Sequence, residues 1–78
     1  MNLTAKLNEI RTRAQDAIRT ETGAVVELTP SRGNGWTVSG QSADVRTARR
    51  IMRAAGLRLV VTEFDAEYPG EQFDRYAS

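Results

Sequence analysis

The period at which apolar residues recur changes along this chain, and that change constrains its fold more than any other feature. In the N-terminal segment the apolar positions recur every three or four residues, as on one face of an α-helix. These positions are Leu3, Leu7, Ile10, Ala14, Ala17 and Ile18. From residue 24 apolar and polar residues alternate, as in a half-buried β-strand, and the helical period returns after Ser42. The order of these periods predicts an α+β domain.

Two short alternating segments, 24–30 and 35–40, predict a β-hairpin. They are linked by residues that tolerate positive φ, among them Gly33, Asn34 and Gly35. One face of the hairpin is apolar and carries Ala24, Val26, Leu28, Trp36 and Val38. The other face carries Val25 and the polar residues Glu27, Thr29, Thr37 and Ser39. We therefore expect one face of the sheet to lie against the core and the other to be open to solvent.

A second helix is predicted from Ser42, which can act as its N-cap, to about Ala55, and Gly56 should end it. Residues 57–65 are dense in β-branched side chains and predict a third strand. Alternation assigns to the core Leu57, Leu59 and Val61, and to the open face Arg58, Val60, Thr62 and Phe64.

The resulting order, α-β-β-α-β, predicts two helices packed on one face of a small three-stranded sheet. It resembles a ferredoxin-like domain that lacks its first strand, a resemblance of topology that carries no function. Residues 1–66 are expected to form this single domain. Residues 67–78 contain a Tyr-Pro-Gly turn signal and are expected to form an acidic, aromatic C-terminal tail.

The absence of cysteine and histidine from the 78 residues limits the chemistry that the chain can perform. It has no disulfide, no usual zinc ligand, and neither of the side chains that most often act as general base or strong nucleophile. We therefore expect no enzyme, no metal and no cofactor. No apolar run approaches the roughly 20 residues of a membrane helix. We expect a cytoplasmic protein with no membrane partner.

Three alternating carboxylates, Glu63, Asp65 and Glu67, lie at the end of the predicted third strand and directly after it. An extended chain would align them on one face, where they could hold a hard cation through oxygen ligands. Charged residues at the end of a strand also discourage edge-to-edge pairing between sheets. The second interpretation is favoured.

The charges of the chain separate into two opposed segments. Residues 31–60 contain six Arg and one Asp, a net charge of +5, whereas residues 61–78 contain five carboxylates and one Arg, a net charge of −4. Residues 1–30 are balanced, so the total of +1 conceals this separation. Opposed charges of this kind steer and orient a binding partner.

Four arginines follow the helical spacing i, i+3, i+4, i+7 in the second helix, namely Arg46, Arg49, Arg50 and Arg53. They are expected to form one stripe opposite the apolar residues, with Arg58 and Arg32 extending it. Such a stripe can lie along a phosphate backbone, which makes a nucleic-acid-binding module the alternative function. Two further interpretations are a solvated helix face and a set of arginines that pair with the protein's own acidic tail.

Aromatic residues near the C-terminus provide a second candidate surface. Three apolar side chains on the open face would be exposed unless the tail covers them with Tyr68, Phe73 and Tyr76. If the tail does not pack there, the same aromatics form an acidic, aromatic patch suited to a partner protein.

These features predict a small non-enzymatic protein that docks on a larger protein or nucleoprotein complex. As a short, compact, cysteine-free chain it resembles in style the accessory and inhibitor proteins encoded by phages and mobile elements, of which anti-CRISPR proteins are one class. A homodimer through the first helix would support so small a core. The expected binding residues are Arg32, Arg46, Arg49, Arg50, Arg53, Arg58, Phe64, Tyr68, Phe73 and Tyr76.

Overall fold

The computed structural model describes residues 3–78, with the side chains from residue 5 onward. The side chain of Leu3 therefore lies outside the described residues. In chain order the elements are α1 (Leu3–Thr22), β1 (Glu27–Ser31), β2 (Gly35–Gln41), α2 (Ser42–Ala54), β3 (Arg58–Phe64) and β4 (Glu71–Ala77). The four strands form one antiparallel sheet in the order β1-β2-β4-β3. The protein is thus an α+β domain, as predicted.

Both helices end where the sequence predicts. Gly23 adopts a φ of +79° after α1, and its N–H donates to the carbonyl of Arg19 at 2.9 Å. Gly56 adopts a φ of +87° after α2, and its N–H donates to the carbonyl of Arg53 at 2.9 Å. Left-handed backbone at these positions is the common way for a helix to satisfy its last carbonyls.

The predicted hairpin is confirmed. Strands β1 and β2 pair antiparallel with Leu28 opposite Val38, and a single 3-10 turn at Arg32–Asn34 connects them. Gly33 and Asn34 adopt φ values of 69° and 61° in that turn. These are the left-handed conformations that glycine and asparagine tolerate best.

The start of α2 differs from the prediction. Gln41, not Ser42, occupies the N-cap position, and its side chain makes no capping hydrogen bond. The N–H of Ser42 donates instead to the carbonyl of Gly70 at 2.8 Å. The first turn of α2 is therefore tied to the turn that joins β3 and β4.

The sheet has four strands, so the prediction of three strands and a separate tail is wrong. Residues 71–77 form β4, which lies between β2 and β3 and pairs antiparallel with both. The connection from β2 through α2 to β3 leaves a space one strand wide, because β2 and β3 run in the same direction without being neighbours. The C-terminal segment occupies this space and becomes a central strand.

A β-bulge in β3 reverses the predicted faces of its second half. Leu59 lies opposite Tyr76 and Val61 lies opposite Arg75, so Val60 is the extra residue. Beyond the bulge, Thr62 lies opposite Asp74 and faces the helices, whereas Val61 faces the open side with Arg75. The predictions that Val61 faces the core and Thr62 the open face are therefore wrong.

One hydrophobic cluster joins both helices to the same face of the sheet. Its buried members are Ile18, Ala24, Val26, Leu28, Val38, Val45, Ala48, Met52 and Tyr76. Trp36, Leu57 and Leu59 pack against this cluster at partial burial. The opposite face of the sheet carries no helix among residues 3–78. None of the helices described has both the length and the apolar character that crossing a membrane requires.

Candidate binding surface on helix α2

Helix α2 places its four arginines in two different environments. Arg49 is directed towards the sheet, where its Nε donates to Oδ2 of Asp74 at 2.8 Å and its Nη2 donates to Oδ1 at 3.3 Å. The side chain of Arg49 is 32% exposed, and that of Asp74 is fully buried. The expectation that some arginines pair with the acidic C-terminal segment therefore holds for Arg49.

Two further side chains complete the surroundings of the Asp74 carboxylate. Thr62 Oγ1 donates to Oδ1 at 2.8 Å, and Gln72 Nε2 donates to the same oxygen at 3.0 Å. Burial by itself would raise the pKa of Asp74, but these hydrogen bonds and the charge of Arg49 outweigh it and hold that pKa below its usual range. The hydrogen bond with Asp74 in turn raises the pKa of Arg49. The pair is ionised in any near-neutral solution.

This network joins three elements. Arg49 belongs to α2, Thr62 to β3, and Gln72 and Asp74 to β4. A buried carboxylate that lost one of its donors would be left incompletely satisfied in a medium of low dielectric, so the arrangement penalises movement of α2 over the sheet. Helix α2 is therefore held in one orientation by polar contacts as well as by its apolar side.

The other three arginines of α2 point to solvent. Arg46, Arg50 and Arg53 are exposed, and none makes a salt bridge with a carboxylate of the described chain. The eight residues from Arg46 to Arg53 span about 10 Å along a helix. We call these three residues the α2 arginine row.

Two other predicted arginines do not extend this row. Arg58 lies opposite Ala77 in the sheet, on the face that carries no helix. Arg32 lies in the turn of the hairpin and lines a depression of about 550 Å³ on the open face. Arg75 and Val60 line the same depression. Arg32 and Arg58 thus belong to the open face, separate from the α2 arginine row.

The predicted aromatic residues are also separated. Tyr76 is buried to 1% exposure in the core, so it neither covers the open face nor reaches a partner. Phe73 lies on the open face between Ser39 and Glu63 at partial burial. Phe64 lies opposite Gln72, and the bulge thereby moves it from the predicted open face to the helix side of the sheet. Tyr68 does not cover the sheet either, because it is 62% exposed.

Phe64 and Tyr68 lie beside the beginning of α2. Arg49 contacts Thr62, and the N–H of Ser42 bonds to Gly70, so α2 runs antiparallel to β3 and begins near the turn between β3 and β4. Phe64 ends β3 and Tyr68 belongs to that turn, and their exposures are 63% and 62%. Both exposed aromatic side chains therefore lie towards the end of the molecule at which α2 begins.

Glu63, Asp65 and Glu67, at the end of β3 and after it, are not gathered into a cation site. In the part of the chain that the structure describes, no group of three or more Asp or Glu side chains is arranged to hold a metal ion. The side-chain oxygen of Asp65 instead accepts a hydrogen bond from the N–H of Glu67 at 2.8 Å, which stabilises the turn before β4.

The network around Asp74 is not indicated by the charge pattern of the sequence, in which Asp74 is one of five carboxylates of the C-terminal segment and Gln72 carries no charge. The available signal was the spacing of Gln72, Asp74 and Tyr76, which places all three on one face of an extended strand. Because Gln72 and Asp74 are polar, this spacing does not indicate that the face is buried.

Comparisons of this chain with protein-family models, with curated proteins and with solved structures gave no match.

Proposed function

We propose that this protein is a non-enzymatic binding protein that docks on an acidic surface of a larger protein through the α2 arginine row. The observation that carries the proposal is the division among the four arginines of α2. Arg49 is bound to Asp74, whereas Arg46, Arg50 and Arg53 are exposed without an ion-pair partner in the described chain. A row of unpaired guanidinium groups on a fixed helix suits bidentate recognition of carboxylates.

Two features of the surroundings support this proposal. The Arg49–Asp74 pair holds α2 on the sheet, which limits the conformational entropy that docking would cost. The exposed Phe64 and Tyr68 lie towards the end of the molecule at which α2 begins, and aromatic residues and arginine are enriched at the centres of protein interfaces. The row would steer and orient the partner, and the aromatic pair would contribute apolar contact area.

The test removes the charges of the row and keeps Arg49. A triple variant, Arg46→Gln, Arg50→Gln and Arg53→Gln, should lose binding to any partner captured by the wild-type protein and then purified. A matched control, Lys6→Gln, Arg13→Gln and Arg19→Gln, removes three exposed positive charges from α1 and should keep binding. If the purified partner bound both variants equally well, the α2 arginine row would not be its docking site.

A nucleic-acid-binding module is the second candidate, and the same row supports it. Three phosphate contacts predict a slope of about −2.7 for the logarithm of the binding constant against the logarithm of salt concentration. Affinity would then fall roughly fortyfold between 50 and 200 mM salt. Asn and Gln are absent from α2, so we expect no bidentate recognition of adenine by this helix.

Fluorescence anisotropy with labelled DNA and RNA distinguishes the two candidates. Nucleic-acid binding requires a salt-dependent signal at about 50 mM salt that the triple variant lacks and the α1 control keeps. If the wild-type protein gives no signal at low salt, the second candidate is excluded and the protein-docking proposal is unaffected. The two proposals therefore fail independently.

We also infer a relationship between this topology and the ferredoxin-like arrangement. Moving β4 from the end of the chain to its beginning gives the order β-α-β-β-α-β, which is the ferredoxin-like order. The strand expected to be missing at the N-terminus is supplied at the C-terminal end of the sequence, as in a circular permutation. This fold carries no function by itself, so an accessory or inhibitor role of the phage or anti-CRISPR type rests on small size and exposed charge alone.

A further inference from the structure

The two edges of the sheet are protected to different degrees. The outer edge of β1 contains Pro30, which has no N–H to offer, and the N–H of Leu28 donates to Oε1 of Gln15 on α1 at 2.8 Å. Strand β3 forms the other edge, and no side chain of residues 5–78 hydrogen-bonds to its backbone. An open edge of this length is a template for pairing with another strand.

Because of the bulge, the sides of the sheet that successive β3 residues face follow a symmetric pattern along the strand. Leu59 and Thr62 face the helices, because they lie opposite Tyr76 and Asp74. The open face carries Arg58, Val60, Val61 and Glu63. Read from either end, residues 58–63 therefore follow the same order of faces: open, helix, open, open, helix, open. An unbulged strand of six residues alternates strictly and lacks this symmetry.

This symmetry permits one long register in which β3 pairs with a second copy of itself. Residues directly opposite each other in antiparallel strands must share a face. When the two-fold axis lies between Val60 and Val61, each residue of 58–63 lies opposite a residue of the second copy that faces the same side of the sheet. No other antiparallel register of β3 with itself matches faces over so long a stretch.

The charges on β3 suit the same register. Arg58 of one copy lies opposite Glu63 of the other, and the two-fold axis repeats the pair. Both side chains are exposed, and neither makes a salt bridge within the described residues. The pairs Leu59–Thr62 and Val60–Val61 complete the contact on the two faces.

We propose that two copies of this protein associate through their β3 edges in this register, forming one continuous antiparallel sheet of eight strands with all helices on one side. The inference goes beyond the proposed docking function and uses different residues. Charges at an edge usually discourage pairing, but here their positions favour pairing with an identical edge.

The expected dimer is weak. Pairing of six residues per copy buries less than the roughly 1,200 Å² of a standard stable interface. It also brings the two α2 arginine rows to the same side of the extended sheet. The measurement should therefore be made at about 150 mM salt, where the Debye length of about 8 Å limits repulsion between the rows. We expect dissociation constants of roughly tens of micromolar or higher.

Charge reversal within the one strand provides the test. In sedimentation equilibrium from micromolar to millimolar concentration, the wild-type protein should reach twice the monomer mass of 8.6 kDa. Arg58→Glu places two carboxylates opposite each other, and Glu63→Arg places two guanidinium groups opposite each other. Each variant should raise the dissociation constant of the dimer at least about tenfold.

Mixing the two variants should restore association, because each opposed pair would then combine a carboxylate of one variant with a guanidinium group of the other. The double variant Arg58→Glu, Glu63→Arg should also form a homodimer. Controls of equal charge change on α1, Arg19→Glu and Glu21→Arg, should leave the dissociation constant unchanged. A wild-type protein that stays monomeric at millimolar concentration, or a dimer that charge reversal and mixing do not affect, would overturn the proposal.

Discussion

The Nε atom of Arg49 lies 2.8 Å from Oδ2 of Asp74, a carboxylate with no solvent exposure, and this contact joins helix α2 to the central strand β4. The pair links the basic helix to the segment that the sequence predicts to be a separate acidic tail. Its main role in the structure is to position α2, and its consequences for stability can be measured directly.

Loss of Arg49 should destabilise the fold. Arg49→Gln leaves the buried Asp74 carboxylate with only Thr62 and Gln72 as donors, and we expect a loss of about 2–3 kcal/mol in the free energy of unfolding. Arg50→Gln, one residue away on the exposed side, should change it by less than about 0.5 kcal/mol. Urea denaturation measures both values, and equal effects would mean that the Asp74 contact contributes nothing.

Coupling between the two residues is a separate prediction. Asp74→Asn should also destabilise the protein, but the double variant with Arg49→Gln should lose less than the sum of the single losses. We expect an interaction free energy on the order of 1–3 kcal/mol in this double-mutant cycle. Additive losses would contradict a direct interaction.

Stability should fall in acid because the folded state holds the pKa of Asp74 below its unfolded value of about 3.9. A carboxyl group of this kind contributes its stabilisation above the unfolded pKa and loses it as the pH falls through the folded pKa. The contribution of Asp74 should thus be complete at about pH 6 and decline below about pH 4. Thermal unfolding measured from neutral to strongly acidic pH should show a shallower decline for Asp74→Asn than for the wild type.

Tyr76 should make the fold sensitive to alkali. Burial, as the main cause, and the negative charge of Asp74, as a second one, together raise the pKa of Tyr76 to about 12. Because the folded pKa exceeds the unfolded value of about 10, the stabilisation is complete below about pH 10 and is lost as the pH rises towards 12. Tyr76→Phe should remove this contribution to the decline.

The same substitution should be tolerated at neutral pH. The hydroxyl of Tyr76 is buried and has no hydrogen-bond partner among the described residues. Its removal therefore relieves an unsatisfied polar group, and we expect Tyr76→Phe to leave the free energy of unfolding unchanged or to raise it by about 1 kcal/mol. A marked loss of stability would show that the hydroxyl has a partner.

Two neighbouring glycines should respond differently to alanine. A methyl group at Gly35 would overlap the carbonyl oxygen of Tyr76, so Gly35→Ala must separate β2 from β4. A methyl group at Gly33 meets no atom, and Gly33→Ala should cost only the strain of its φ of +69°, about 1–2 kcal/mol. Circular dichroism during urea unfolding should rank Gly35→Ala as much the less stable variant.

The elements with a regular hydrophobic period could be predicted from the sequence. The stripe that includes Ile18 and the glycine at position 23 define α1, and alternation around Leu28 and Val38 defines the hairpin. These patterns involve residues close together in the sequence, so they can be recognised without knowledge of the rest of the fold.

The fourth strand could not be predicted by the same rule. Apolar side chains mark the buried face of most strands, but β4 turns Gln72 and Asp74 towards the helices. Their burial is possible only because Arg49 and Thr62, which are distant in the sequence, supply hydrogen bonds. The bulge at Val60 is likewise determined by pairing with β4, so the faces of residues 61–64 could not be assigned before that strand was known.

The central position of β4 has a consequence for the order in which the protein can fold. Strand β3 pairs in the sheet only with β4, so a nascent chain that ends at residue 66 contains the sequences of β2 and β3 but lacks the strand that pairs with both. The position between β2 and β3 can be filled, and the buried face of α2 can be covered, only after residues 71–77 have emerged from the ribosome. The whole sheet can therefore fold only after β4 has been synthesised. A polypeptide that ends before residue 71 should be prone to aggregation and should not form a smaller stable domain.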